Sequence, residues 1–158
     1  MFFHIGILLW FIAGNMFLDS STDSLDTPPV SVIIAIRNGA DTLLHLLAGL
    51  SSQDYSGDME FIIVDDESED LTKNIIQGKS SIDKRFKYES STNGDHALGH
   101  KKRALDAGIK RADHEWLLFT DADCYLKSSW VRGMVSHFNQ EVDYVVGYSE
   151  VERGTRLV

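Results

Sequence analysis

The run VSVIIAI, Val30 to Ile36, is apolar at every position but Ser31, and most of its residues are β-branched. A strand with one face in water alternates polar and apolar residues, so a run like this has to be covered on both faces. Such strands belong to sheets with helices packed on each side. The chain supplies the rest of that pattern. FIIV (Phe61 to Val64), the weaker FKYE (Phe86 to Glu89), WLLFT (Trp116 to Thr120) and YVVGY (Tyr144 to Tyr148) read as further strands. Helices are expected between them. Asp41 can cap one with a stripe of Leu43, Leu44, Leu46, Leu47 and Leu50, and a helix of about two turns follows at Leu71 to Gln77. Two more fit Lys101 to Ala112 and Ser129 to Asn139. Strands alternating with helices over short connections imply an α/β fold, with a mainly parallel sheet and right-handed crossovers.

The 158 residues suffice for one such domain, and 43% hydrophobic content supports a real core. A formal net charge of -9 argues against a general nucleic-acid binder, since no basic stripe dominates. The nearest is His100-Lys101-Lys102-Arg103, which could meet a small anion or simply open a solvated helix. Cys124 is the only cysteine, so no internal disulfide can form; this fits a reducing compartment.

Before the domain, residues 1–18, MFFHIGILLWFIAGNMFL, are almost wholly apolar. As a helix they would span about 27 Å, close to the roughly 30 Å hydrocarbon layer. There is no basic leading segment and no convincing small-x-small cleavage site, so a transmembrane anchor is preferred to a signal peptide. The expected product is membrane-anchored, with its domain in the cytoplasm. Residues 19–29, DSSTDSLDTPP, read as a linker, and the domain is expected over residues 30–158.

In a parallel α/β sheet, ligands bind at the carboxyl ends of the strands. Three polar groups fall there: Arg37-Asn38 after the first strand, Asp65-Asp66 after the second and Asp121-Ala122-Asp123 after the fourth. Carboxylates are the preferred ligands of hard cations, and Mg²⁺ or Mn²⁺ takes one or two, leaving other positions to water and phosphate oxygens. Asp121 and Asp123 suit such a site, although acidic pairs also occur in ordinary turns and caps. An aspartate after the second strand can accept from a ribose hydroxyl or a base N–H. The alternative is that Asp66, Ser68 or Asp70 caps the next helix. The loop from Gly94 to Lys102 could approach an anion through backbone N–H groups and Lys101 or Lys102, or could be plain surface.

The order of these segments resembles the family 2 glycosyltransferases. PPVSVIIAIRN is similar to their opening strand and loop, FIIVDDESED to V-D-D-x-S-x-D, GHKKRALDAGI to G-K-x-x-A-L-N-x-G-I, and FTDADC to the Asp-x-Asp segment. The resemblance covers about Pro28 to Tyr148. It implies a Rossmann-like nucleotide-diphospho-sugar transferase fold. It also implies metal-dependent, inverting transfer of a sugar from a nucleotide diphosphate to an acceptor hydroxyl, on a glycan or a lipid-linked molecule. Asp66 would contact the base, Asp65 support its loop, and Arg37 and Asn38 lie near the nucleotide. Lys101, with Lys102 beside it, would face the diphosphate. Asp123 would be the principal ligand of Mn²⁺ or Mg²⁺, with Asp121 on the ribose or the metal. Gly39 stands where many members carry an acidic residue, and Asp106 where they carry Asn. The acceptor half, with its carboxylate base, is expected beyond Val158.

Rival readings fit less well. A haloacid-dehalogenase-type phosphohydrolase needs its Asp-x-Asp after the first strand, with Thr or Val where Tyr125 stands. A nicotinamide site needs G-x-G-x-x-G where the chain has Arg37-Asn38-Gly39-Ala40. A truncated, non-catalytic, membrane-anchored nucleotide-binding module is the remaining alternative.

Overall fold

The computed structural model describes residues 27–138 and 142–147. Those up to Ser136 belong to one compact unit. Its elements run β1 (Val30–Ile36), α1 (Ala40–Ser51), β2 (Met59–Asp65), α2 (Thr72–Ile82), β3 (Phe86–Ser90), a 3-10 turn at Ser91–Asn93, α3 (His100–Arg111), β4 (Trp116–Phe119) and α4 (Trp130–Val135). The four strands form one sheet in the order β3-β2-β1-β4, and every pairing is parallel.

The β-branched runs explain the two central strands. Every residue of β2 is buried, as are all of β1 but Ala35. On one face Ile33, Ile62 and Val64 pack with Ala104 and Ala107 of α3. Gly108 continues that stripe of small residues. A Cβ built on it would lie 2.4 Å from Ile33 Cγ2 and 3.1 Å from Val64 Cγ2, so α3 sits on the sheet as closely as a glycine allows. By the alternation of a strand, Val32, Ile34, Phe61 and Ile63 point to the opposite face. Phe61 and Phe86 stack there as tilted rings with centroids 4.7 Å apart.

The amino end of the sheet is tied by polar groups. Buried Glu60 accepts from Ser31 Oγ at 2.5 Å and from the Asp113 N–H at 2.8 Å, and pairs closely with Lys87. Burial pushes the Glu60 carboxyl up, but the bonds from Lys87, Ser31 and Asp113 outweigh it and hold it below its ordinary value. Asp83 and Arg85 clamp the turn before β3. The Arg85 guanidinium holds the Asp83 carboxyl down to about 2.

Several expectations need correction. Gly39, not Asp41, is the N-cap of α1, and Asp41 lies in the first turn. Leu44 is 64% exposed, so the buried stripe is Leu43, Leu46, Leu47 and Leu50. The second helix extends to Ile82, and the last contracts to Trp130–Val135, ending in a turn at Ser136. Residues 144–147 are not strand. Tyr144 and Val146 are each 81% exposed, so burial gives their alternation nothing to act on. Tyr148 and Asn139 lie outside the described residues, as do the apolar stretch 1–18 and linker residues 19–26. Among the described residues no helix is long and apolar enough to cross a membrane.

Candidate functional site

The chain builds β1, β2 and β3 outward on one side, then returns to place β4 on the other side of β1. A reversal of that kind parts the loops leaving the two neighbouring strands and opens a crevice at their carboxyl ends. The register sharpens it. Phe119, the last residue of β4, pairs with Ile33, while β1 continues to Ile36. The segment after β4 therefore leaves the sheet alongside the end of β1.

A cavity of about 360 Å³ lies there, lined on one side by Ile36, Arg37, Asn38 and Gly39 and on the other by Lys101, Asp121 and Asp123. Lys101, in the first turn of α3, crosses to the β4 side, with its Nζ 2.5 Å from Asp121 Oδ1. The positive group facing the acidic pair is thus an amine of the chain itself. Asp123 is exposed and takes no hydrogen bond or ion pair among the described residues. Its oxygens are free for a ligand.

The two carboxylates, separated by Ala122 on an open cavity wall, fit a hard cation in one respect. They supply one or two oxygen donors, as Mg²⁺ and Mn²⁺ sites commonly do. Among the described residues no cluster of three or more His, Cys, Asp or Glu side chains completes a cage. The donor set is one that phosphate oxygens or water would have to finish.

Asp65 ends β2 and Asp66 follows it, and both are buried. Asp65 accepts from the Ser68 N–H at 3.2 Å and so shapes the acidic turn. The Asp66 N–H donates to the Ile36 carbonyl at 2.8 Å, which sets it beside a residue of the cavity wall. The rest of that turn reaches across to β1. The N–H groups of Asn38, Gly39 and Ala40 donate to Ser68 Oγ, Thr72 Oγ1 and Asp70 Oδ2, and the Glu69 N–H returns a bond to Asn38 Oδ1. Asp70 also accepts from the Thr72 N–H, so one carboxylate serves the starts of two helices. Leu71, not Asp66, Ser68 or Asp70, is the N-cap of α2; Asp70, just before it, accepts from the first N–H of α2 and of α1. Asn38 and Glu67 take φ of 50° and 57°, the left-handed region that side chains other than glycine rarely adopt. Such strain concentrates where chains are held for function.

Lys102 is exposed and lies apart from the cavity lining. Asp106 does not charge the cavity either. Lys110 at 2.7 Å and the Asp95 N–H at 2.7 Å hold its carboxyl below the usual range, and it anchors the loop before α3. Sequence reasoning missed Arg103. Its guanidinium Nη2 lies 3.5 Å from Asp66 Oδ1 and 3.2 Å from Ser91 Oγ and pairs closely with Glu67. A signal existed in the third basic residue of Lys101-Lys102-Arg103, which a helix turns onto a different face from the first two.

The molecule is thus an α/β protein with a parallel sheet and a crevice of acidic and basic side chains at its switch point. A family model described as glycosyl transferase family 2 matches residues 31–156. The chain belongs to that family. Among curated relatives it is 30% identical over 131 residues to a GalNAc(5)-diNAcBac-PP-undecaprenol beta-1,3-glucosyltransferase of Campylobacter jejuni, covering 82% of this chain and 41% of the relative. It is 29% identical over 122 residues to a putative glycosyltransferase EpsH of Bacillus subtilis, covering 77% and 34%. The chain therefore spans about two fifths or less of these relatives. S. aureus TarS in complex with UDP superposes with a TM-score of 0.53 at 26% identity, over 68% of this chain and 31% of that one. The mannosyltransferase PcManGT of Pyrobaculum calidifontis, in complex with GDP-Man and Mn2+, gives 0.66 at 24% identity, over 85% and 40%, and shares the fold.

Proposed function

We propose that this chain is the donor-binding part of a glycosyltransferase that moves a sugar from a nucleotide diphosphate to an acceptor hydroxyl. The observation that carries the reading is the single cavity shared by Arg37, Lys101, Asp121 and Asp123 at the β1/β4 switch point. Arg37 and Lys101 suit the phosphate oxygens, one as a planar fork of donors and the other as a compact charge. Asp66, beside Ile36 at the end of β2, suits a ribose hydroxyl or base N–H. Asp65 holds the turn that presents it.

Asp123, with Asp121, would hold Mn²⁺ or Mg²⁺ against the donor. When bound, such a cation supplies Lewis-acid stabilisation of the charge that grows on the departing diphosphate. The chain's own part is to bind and orient the donor, and Lys101 adds a positive charge near the same oxygens. An inverting transfer also needs a base for the acceptor hydroxyl. That base is proposed to come from sequence after Val158, with a glycan or lipid-linked acceptor. The apolar residues 1–18 are proposed to anchor the protein to a membrane with this domain on the cytoplasmic side; recovery in the soluble fraction after expression of residues 1–158 would contradict it.

Titration of UDP and GDP sugars in the presence of Mn²⁺ tests the central reading. Binding that falls at least tenfold in Asp123→Asn or on chelation is expected. Affinity that is the same in the variant and the parent would overturn it. A donor-hydrolysis assay separates an enzyme from a binding module.

A further inference from the structure

We propose that Arg103 is a positioning residue for the nucleoside end of the donor, acting through Asp66. The inference rests on the donor reading above and adds to it the residue that fixes how Asp66 is presented.

Asp66 is a buried carboxylate, 6% exposed, at the carboxyl end of β2. Among the described residues, Arg103 is its one side-chain partner, on Oδ1 at 3.5 Å. A buried carboxylate without a cation beside it is costly, and a single partner on one oxygen orients the group. The other oxygen takes no hydrogen bond from the described residues and is left for a ligand.

Arg103 itself is held from three sides. The same Nη2 pairs closely with Glu67 and bonds Ser91 Oγ at 3.2 Å, so the guanidinium joins the turn after β2 to the turn after β3. Glu67 is in the left-handed region, at φ 57°, and its pairing with Arg103 helps to keep the turn that carries Asp66 in that conformation. Gly94 lies so close to α3 that a Cβ built on it would be 2.1 Å from the Arg103 carbonyl oxygen. The loop before α3 is therefore pressed against the backbone that bears Arg103. Its Nε is buried without a hydrogen-bond partner. Leaving such a donor unmade opposes stability. A lysine would relieve that cost, but its shorter side chain would not carry the ammonium to the place of Nη2 between Asp66, Glu67 and Ser91. The placement favours orientation of Asp66 over stability of the fold.

The geometry also separates Arg103 from the diphosphate corner. Lys101, two residues earlier, lines the cavity, whereas Arg103 does not. Loss of Arg103 should therefore act on nucleoside recognition and spare the phosphates.

A double-mutant cycle read by calorimetric titration tests this, using Arg103→Lys, Asp66→Asn and the pair, with UDP, GDP and inorganic pyrophosphate, each with Mn²⁺. Arg103→Lys should weaken whichever nucleoside diphosphate the parent prefers by about tenfold, and by less than about twofold once Asp66 is Asn, because the two act as one unit. Pyrophosphate affinity should be unchanged. Equal losses in both backgrounds, or a matching loss for pyrophosphate, would overturn the proposal. If Arg103→Lys fails to fold, Ser91→Ala and Glu67→Gln each remove one of the other tethers, and weakening of nucleotide but not pyrophosphate that vanishes with Asp66→Asn is again expected. A parent that binds no nucleotide at all refutes the donor reading instead.

Discussion

Lys101 Nζ lies 2.5 Å from Asp121 Oδ1, so a residue from the start of α3 supplies the cation that the acidic segment after β4 requires. The two side chains are 60% and 59% exposed. An ion pair that open adds little to stability. Lys101→Ala should leave the melting temperature within a few degrees of the parent. It should weaken nucleotide-diphosphate binding about tenfold and flatten its salt dependence. A large fall in melting temperature with unchanged binding would make the pair structural.

Metal and donor should bind together. Since the described residues offer two carboxylates at the cavity and no third carboxylate, histidine or cysteine, Mn²⁺ alone should give little thermal stabilisation, and Mn²⁺ with UDP or GDP much more than the two separate shifts added. Strong stabilisation by Mn²⁺ alone would show a cage that these residues do not form.

Gly108 packs α3 against the sheet, and Gly108→Ala must push Ile33 or the helix aside. Overpacking of this kind costs about 1–3 kcal/mol. Urea unfolding should show that loss. Nucleotide affinity should fall as well, because Lys101 and Arg103 ride on the same helix.

Asp70→Ala removes acceptors from the starts of both α1 and α2. The urea midpoint should fall, and Asp70→Asn, which retains one carbonyl oxygen, should recover part of the loss. Proteolysis should cut first in the turn between β1 and α1 or after β2, since that turn and the β1 loop brace each other. Equal midpoints in all three proteins would refute the shared role of this carboxylate.

The stability of the unit should fall in acid. The Asp83 carboxyl is depressed to about 2 in the folded chain, below its unfolded value near 3.8. A group depressed on folding contributes stability that is fully present above the unfolded value and is lost as pH falls through the folded one. Urea midpoints should therefore drop between about pH 5 and pH 2, and Asp83→Asn should flatten that part of the curve. Glu60, also depressed, acts in the same direction.

The strands and most helices were legible because their signals are local. A run such as Val30 to Ile36 declares burial on both faces by itself, and the polar residues following β1, β2 and β4 could be placed at strand ends from position alone. The same local reading misplaced the helix ends and the strand at Tyr144, where alternation without burial has no force behind it. It assigned Lys101 and Lys102 together, although only Lys101 reaches the cavity.

What the sequence by itself determined is the list of elements and the chemistry carried at their ends. The strand order β3-β2-β1-β4 was decided only by the tertiary structure. It sets Asp121 beside Arg37 across more than eighty residues of chain, turns Lys101 toward Asp121, and aims Arg103 at Asp66. Those contacts join positions far apart in sequence. They follow from how α3 packs on Ile33 and Val64, and no local window contains that packing.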